Sequence, residues 1–494
     1  MPSQESSGYD SSGSSDSNPA TLKRALGPGA AIAMVVGSVI GAGIFFKPGR
    51  IAAEAGRFDL IIGVWVLGGV LCILGAICFA ELATMYPQAG GLYVYLREGY
   101  GRMVAFLFGW MEFLFAKPAA IGALSVAFVG KLGVLINRQL SPVEEVVISS
   151  LLIVGLSTIN IFGVKWGGRV QTLMTIIKGG LVAGIALLPF ILMPFLETTI
   201  NLANYTSTAP PRQPSLAGQI SVVLLAVMWA YHGWHGLTPL AEEVRDPQRN
   251  LPLALIGGLG IVMALYVGAN IAYHGVLSMT ELQSAGTNGA EMMLRKLLGS
   301  VGQSALAAII MCSTSGAINS NILETPRVAF AMGRDGVFFR VLGLVHHAYR
   351  TPVVAILVTA LMSIGWLAAA GIAKLFVTDL EPSAIQGTLH RQVITGLRDN
   401  SIFDLLTNFV VFASAIFHSL TVLAVFILRW RRPDVPRPYK TWGYPVVPAV
   451  FLLINVWFMY RIFQSNFTES LVGFGLIALG VPVYFLYRQS SRST

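Results

Sequence analysis

Charge is scarce in this chain. Of its 494 residues, 12% are Asp, Glu, Lys or Arg, while 54% are hydrophobic. A soluble domain carries about twice that share of charge, so an ordinary water-soluble globule is excluded. What remains is a polytopic helical membrane protein, one transmembrane domain with short tails. Cysteine is nearly missing as well. Cys72, Cys78 and Cys312 each sit inside an apolar run, as small packing residues do, and make no disulfide framework or metal set. No GxxxxGK[ST] phosphate loop occurs, which argues against a nucleotide-driven pump. No long polar stretch offers a soluble receptor domain. The net charge of +9 does not point to nucleic acid, because the basic residues lie in short loops beside apolar spans. Their excess on one side follows the positive-inside rule and places both termini in the cytoplasm of a cell membrane.

Apolar segments are abundant. They read as about twelve spans, roughly 28–55, 58–83, 102–130, 144–163, 169–195, 217–242, 252–277, 302–325, 352–372, 401–429, 445–463 and 468–487. The first is too long for a cleaved leader and is followed by further spans. Residues 1–22 form a polar Ser/Gly-rich tail expected to be disordered, a single transmembrane domain covers 23–488, and 489–494 is a second tail. The stretch Pro87–Glu98 reads as a short interfacial helix. Glu291–Leu298 reads as an amphipathic external helix. Asn204 and Asn466 fit the glycosylation pattern, which carries meaning only in a eukaryotic source. Residues 374–400 form a polar insertion with no assignment.

Two spans are interrupted. Val36-Gly37-Ser38-Val39-Ile40-Gly41-Ala42-Gly43-Ile44-Phe45-Phe46 places three glycines within seven residues of span one. Each costs roughly 1 kcal/mol of helix propensity against alanine. One reading is a close helix-packing seam of small residues. The other is an unwound helix, which lipid tolerates only where the backbone is buried in protein or lines a cavity. Its freed N–H groups would suit a carboxylate and its freed carbonyls an ammonium. Span six favours the second reading: Met228-Trp229-Ala230-Tyr231-His232-Gly233-Trp234-His235-Gly236-Leu237-Thr238-Pro239 interrupts an apolar helix at its middle. Interruptions in spans one and six fall at matching positions of two five-helix halves, 28–195 and 217–429, with extra helices at 445–487. Paired breaks of this kind mark a transporter's substrate site.

Further along come Ala80-Glu81-Leu82-Ala83 with Tyr86-Pro87 and Gly90-Gly91, Arg169-Val170-Gln171 with Lys178, and Glu242-Glu243-Val244-Arg245-Asp246-Pro247 leading to Arg249-Asn250-Leu251-Pro252. Arg327 and Ala331-Met332-Gly333-Arg334-Asp335-Gly336 follow. With the span-one break, these resemble the amino acid–polyamine–organocation (APC) transporters, and among them the L-type amino acid transporter-like members, over about residues 24–487 outside the insertion. The resemblance implies the five-plus-five inverted-repeat fold with two added helices. It implies that Ser38, Val39, Gly41, Ala42 and Gly43 line the site of the substrate carboxylate. Trp229, Ala230, Tyr231 and Gly233 would supply the amino-group side, and Trp229 would stand at an aromatic gate on the outside. The plainer reading of Trp229 and Trp234 is packing between helices. His232 and His235 depart from the family, which commonly has Gly and a small amide there. His232 would fill part of the side-chain pocket and favour small substrates. The histidine pair alone is a poor metal site, and no metal or cofactor is expected.

Lys178 stands about ten residues into span five, roughly 15 Å from the membrane surface, and a charge at that depth is functional by default. The resemblance implies that its ammonium replaces a sodium ion and bridges spans one, five and eight. It is either a proton-exchanging group or a fixed pin. Lys117 and Glu112 in span three, five residues apart, should point about 140° away from each other on an α-helix. No acidic residue lies near either break in the sequence, which favours neutral amino acids, small ones first. The expectation is a secondary carrier working by alternating access, as proton symporter or exchanger. The alternatives are a cationic amino acid or polyamine permease, a nutrient sensor on the same scaffold, and an enzyme, for which no catalytic constellation is visible. Animal L-type members bind a heavy chain through a cysteine after span three. Lys131–Glu145 holds none, so no disulfide-linked partner is expected.

Overall fold

The computed structural model describes residues 22–195, 200–377, 402–465 and 467–490. Those residues are helical almost throughout, as the composition requires of a chain that must satisfy its own backbone in lipid. All but the last residue of the 1–22 tail, most of the 489–494 tail and of the 374–400 insertion, and Asn466 lie outside them.

The first span is split into α1 (Pro28–Val39) and the short α2 (Gly43–Phe46), followed by α3 (Pro48–Ala55) and α4 (Phe58–Met85). Next come α5 (Leu92–Tyr100), α6 (Arg102–Met111), a π turn over Glu112–Ala116, and α7 (Lys117–Leu135). Two long spans, α8 (Pro142–Ile161) and α9 (Val164–Leu192), complete the first half. The second half opens with α10 (Leu216–Ala230), which stops at the second break, and continues through α11 (Pro247–Val276), α12 (Met279–Ala285), α13 (Gly289–Leu298) and α14 (Ser300–Arg334). Then follow α15 (Val353–Val377), α16 (Ile402–Arg431), α17 (Val446–Ser465) and α18 (Phe467–Ser490). Among the described residues eleven helical segments are long and apolar enough to cross a membrane, and the shorter α10 makes the twelfth expected span.

Local sequence sets the boundaries. Pro28 and Pro142 occupy first-turn positions, where a missing N–H costs nothing. Ser141 and Glu144 close a capping box at the start of α8, and Ser278 and Glu281 do the same for α12. The centre of the bundle is α1, whose Met34 and Val35 are fully buried. It lies against α9, α11 and α14, and α14 also packs on α7. Leu151, Leu173, Ile176 and Ile191, on α8 and α9, stay exposed. That is an apolar rim turned toward lipid rather than water.

Two local expectations are revised, and the amphipathic helix is found where it was expected. The helix in Pro87–Glu98 exists as α5, but Tyr93, Tyr95 and Leu96 are fully buried beneath α16. It is an internal element, since two glycines at positive φ, Gly90 and Gly91, fold it back into the bundle. Asn204 is buried and donates its side-chain N–H to the Gly275 carbonyl at 3.2 Å, so it is not an open glycan acceptor. The amphipathic helix over Glu291–Leu298 appears as α13, burying Met293 and Leu297 and exposing Arg295 and Lys296.

Candidate functional site

Both interruptions are real. The helix α1 ends when Ile40 turns extended (ψ 97°), and a new helix starts at Gly43. The amides that begin it have no residue one turn back to donate to. The second helix, α10, ends at Ala230 and passes through Gly233 at φ +99°. The two breaks touch there. A Cβ on Gly233 would lie 2.8 Å from the Ser38 carbonyl oxygen, and one on Gly43 would lie 2.9 Å from the Ala230 Cα. Only glycine permits either approach, and the positive φ makes the first doubly so.

A cavity opens beside this contact, with about 80 Å³ of room for the centre of a water molecule. Nine of the ten residues singled out in the sequence line it: Ser38, Val39, Gly41, Ala42 and Gly43 from the first break, and Trp229, Ala230, His232 and Gly233 from the second. The side chain of Tyr231 turns away, its hydroxyl donating to the Trp65 carbonyl at 3.3 Å. Trp229 lies under Lys47, whose Nζ is 4.7 Å from the ring centre.

Neighbouring helices hold the freed carbonyls of the first break. Lys178, fully buried on α9, donates to the Gly37 carbonyl and to that of Ile40 at 2.8 Å. Ser313 on α14 donates to the Gly41 carbonyl at 2.9 Å. The Tyr266 hydroxyl on α11 lies 3.1 Å from the Val39 carbonyl and 3.2 Å from that of Ala230, at the last turns of both broken helices. Lys178 thus joins span five to span one and lies against span eight, since a Cβ on Gly316 would meet its Nζ at 3.2 Å.

The remaining wall was not legible as such. Lys117 and Asn321 line the cavity too, and behind them lies a cluster of charge. Lys117 Nζ is 2.8 Å from Glu324 Oε2, 3.0 Å from Asn321 Oδ1 and 3.8 Å from Glu112 Oε1. Glu324 also accepts from the Ser38 hydroxyl. Two expectations fall here. Lys117 and Glu112 do face one another, because the intervening turn is a π turn in which the Lys117 N–H bonds the Glu112 carbonyl. A turn closed over five residues brings i and i+5 onto one side. An acidic residue is also close to the first break: Glu324 arrives from α14, far away in sequence. Its signal was present as a carboxylate inside an apolar span, but nothing in the local sequence aimed it at Ser38.

The other quoted motifs assemble at the far ends of α4, α14 and α16. Arg327 makes a fully buried pair with Glu243, 2.8 Å apart. Arg97 pairs with Asp335 at 2.6 Å, Arg334 with Glu242 at 3.1 Å and Arg429 with Glu81 at 2.6 Å. The segment before α1 is stitched to the same region, Leu26 N–H donating to the Glu243 carbonyl at 3.0 Å.

A sequence profile of the amino acid permease family matches residues 26–485. Among curated relatives, the serine/threonine exchanger SteT of Bacillus subtilis (strain 168) is 32% identical over 96% of this chain and 98% of its own length. The human b(0,+)-type amino acid transporter 1 is 30% identical over 94% of this chain and 88% of its own. The mouse large neutral amino acids transporter small subunit 2 is 29% identical, covering 94% and 81%.

Proposed function

Because the chain belongs to the amino acid permease family, a family of multi-pass transporters, we propose that it carries small neutral amino acids across the cell membrane by alternating access. The observation that carries this reading is the meeting of two broken helices at Gly233 and Ser38 beside one cavity. The break amides at Gly41, Ala42 and Gly43, with the Ser38 hydroxyl, offer donors for a carboxylate. The carbonyls at Val39 and Ala230 offer acceptors for an ammonium. Main-chain groups recognise what every amino acid shares, and the side-chain end meets Lys117, Asn321 and His232. His232 takes up space there, and Glu324, the acid that reaches the Ser38 break, is already paired with Lys117. A relative named for serine and threonine exchange agrees with small polar substrates.

Trp229 is the gate in this reading. It stands between the cavity and Lys47, where a swing of the indole opens or closes the path. Lys178 is the coupling group: its ammonium holds two carbonyls of the first break, so its charge state is tied to the conformation of α1. Transport runs as proton symport or as exchange of one amino acid for another. Both termini face the cytoplasm, following the basic loops. The chain works without a heavy chain, since the loop after α7 offers no cysteine for a disulfide.

The test is uptake of labelled L-serine into proteoliposomes holding the purified chain alone, with a competition panel. Inhibition by serine, alanine and threonine is expected. Strong inhibition by arginine or lysine with none by alanine would replace this reading with a cationic amino acid or polyamine permease. Binding without uptake under any gradient would point to a sensor.

A further inference from the structure

The loop between α16 and α17 is held in one shape by a carboxylate from another span. Glu81, buried on α4, accepts from Arg429 Nη2 at 2.6 Å and from the Thr441 N–H at 2.6 Å, both on Oε2. One oxygen thus ties the two ends of the loop together in a neck. The Arg429 guanidinium also lies 3.8 Å from the centre of the Tyr444 ring. Within the loop, Arg437 donates to the carbonyls of Leu428, Arg432 and Val435, each at 2.9 Å, and its Nε lies 3.4 Å from Glu81 Oε1. The loop is therefore preorganised, with little left to order on binding.

What leaves the neck is turned outward. Trp430 follows Arg429, and Lys440 and Trp442 flank Thr441, so both indoles and the lysine start beside the same carboxylate. Trp430 is 80% exposed and Trp442 76%. Arg431, Arg432 and Lys440 are exposed as well, and the Arg431 guanidinium lies 6.0 Å from the centre of the Trp430 ring. Two indoles left in water are costly. Here the flanking helices are spans, one ending at Arg431 and the next starting at Val446. The loop thus lies at the membrane boundary, where indoles settle at headgroup depth.

Charge sets the kind of headgroup. From Trp430 to Trp442 the sequence has four cations and one acid, Asp434. Beneath them, Glu81 meets two guanidiniums, Arg429 and Arg437. Glu98 on α5 comes to 3.9 Å from Arg432, but it is shared with Arg97 at 3.0 Å. Positive charge is left over. A zwitterionic headgroup neutralises its own phosphate, whereas an anionic phospholipid keeps a net negative charge. Its two free phosphate oxygens suit a guanidinium fork.

We infer that Arg431, Arg432 and Lys440 bind the phosphate of an anionic phospholipid, with Trp430 and Trp442 set into the interface beside it. Scattered basic loops and a dispersed aromatic belt attract such lipids to a whole face. The folded neck instead gathers both residue types at one place and makes a site.

The test is quenching of tryptophan fluorescence by brominated lipid, with the purified chain in phosphatidylcholine nanodiscs. Brominated phosphatidylglycerol is compared with brominated phosphatidylcholine at the same small mole fraction. The anionic lipid is expected to quench more strongly, and Trp430→Phe with Trp442→Phe should remove that excess. Each cation near an anionic surface is worth about fivefold in affinity. Arg431→Gln, Arg432→Gln and Lys440→Gln together should therefore raise the phosphatidylglycerol fraction giving half of the excess by about tenfold or more. Removing two exposed cations elsewhere, Lys165→Gln on α9 with Arg340→Gln after α14, should leave it unchanged. Glu81→Gln separates a site from bulk attraction. It makes the chain more positive by one charge but unties the neck, so the excess should fall, and a rise overturns the inference. Should that variant not fold, the triple surface variant decides. Equal quenching by the two lipids in the wild type overturns the inference, as does an equal loss in the Lys165 and Arg340 control. Removal of the excess by inorganic phosphate at constant ionic strength would assign the site to a soluble anion and overturn it too.

Discussion

Lys178 is the residue on which the first break depends most directly. Lys178→Ala leaves the Gly37 carbonyl without its side-chain donor and the Ile40 carbonyl with only the longer Ser313 contact, at about 1–3 kcal/mol for a buried group left unpaired. The variant should reach the membrane, bind substrate more weakly and lose net uptake and its response to an inward proton gradient. Liposome uptake by wild type and variant, with and without the gradient, checks this. Full activity in the variant would remove Lys178 from the mechanism, and a wild type indifferent to the gradient would leave exchange or uniport. Arg327 and Glu243 offer a contrast, as a fully buried pair one turn of α14 beyond Glu324. Glu243→Gln strands a guanidinium in the interior and should cost about 3–5 kcal/mol, read as a marked drop in melting temperature in detergent. A shift no larger than that of a surface substitution would show that the arginine finds another partner. Residue-scale reading of the sequence succeeded where chemistry was local. Glycines, an isolated lysine and an aromatic beside a break announce themselves by type and spacing. Glu324 did not, because its partner Ser38 is 286 positions away, and no periodicity reports such a distance.

At the scale of the element, hydropathy and helix-end signals placed nearly every span, since a membrane leaves the backbone few options. What they could not place was the depth of α5, whose polar ends look interfacial while its middle is covered by α16. The short helices outside the spans depend on their caps. Glu281 caps α12, and the Ser278 N–H, ahead of the Ser278 hydroxyl and Lys296, holds its carboxyl below the usual glutamate range. Its folded value lies below its unfolded one, so the cap contributes fully above the unfolded value. That contribution is lost as the pH falls through the folded one. Amide exchange in α12 should therefore quicken as the pH drops below the usual glutamate range, after correction for the intrinsic rate. Ser278→Ala should produce the same loosening at neutral pH, at about 1 kcal/mol. Unchanged protection in that variant would mean that packing on α3, not the cap, holds the helix.

For the whole molecule, the apolar rim on α8 and α9 and the run of spans fix a multi-pass membrane protein. Orientation rests on the basic loops. Reporter fusions at the two ends should both report the cytoplasm, and an external signal from either would invert the assignment of gate and interior. Purified chain reconstituted alone should transport. Activity restored only by a second co-expressed chain would show that the loop after α7 is not the sole way to hold a partner.

The π turn at Glu112–Ala116 has a consequence of a different kind. Such a turn carries one residue more than the α-helix it interrupts, so the meeting of Glu112 with Lys117 depends on how many residues lie between them as much as on what they are. Substituting side chains one at a time would find the two charged residues and miss the spacer. Lined up against relatives, the spacer would appear as a one-position gap. Proteins lacking it should lack the charge pair as well, so that the pair and the gap come and go together as one inherited unit.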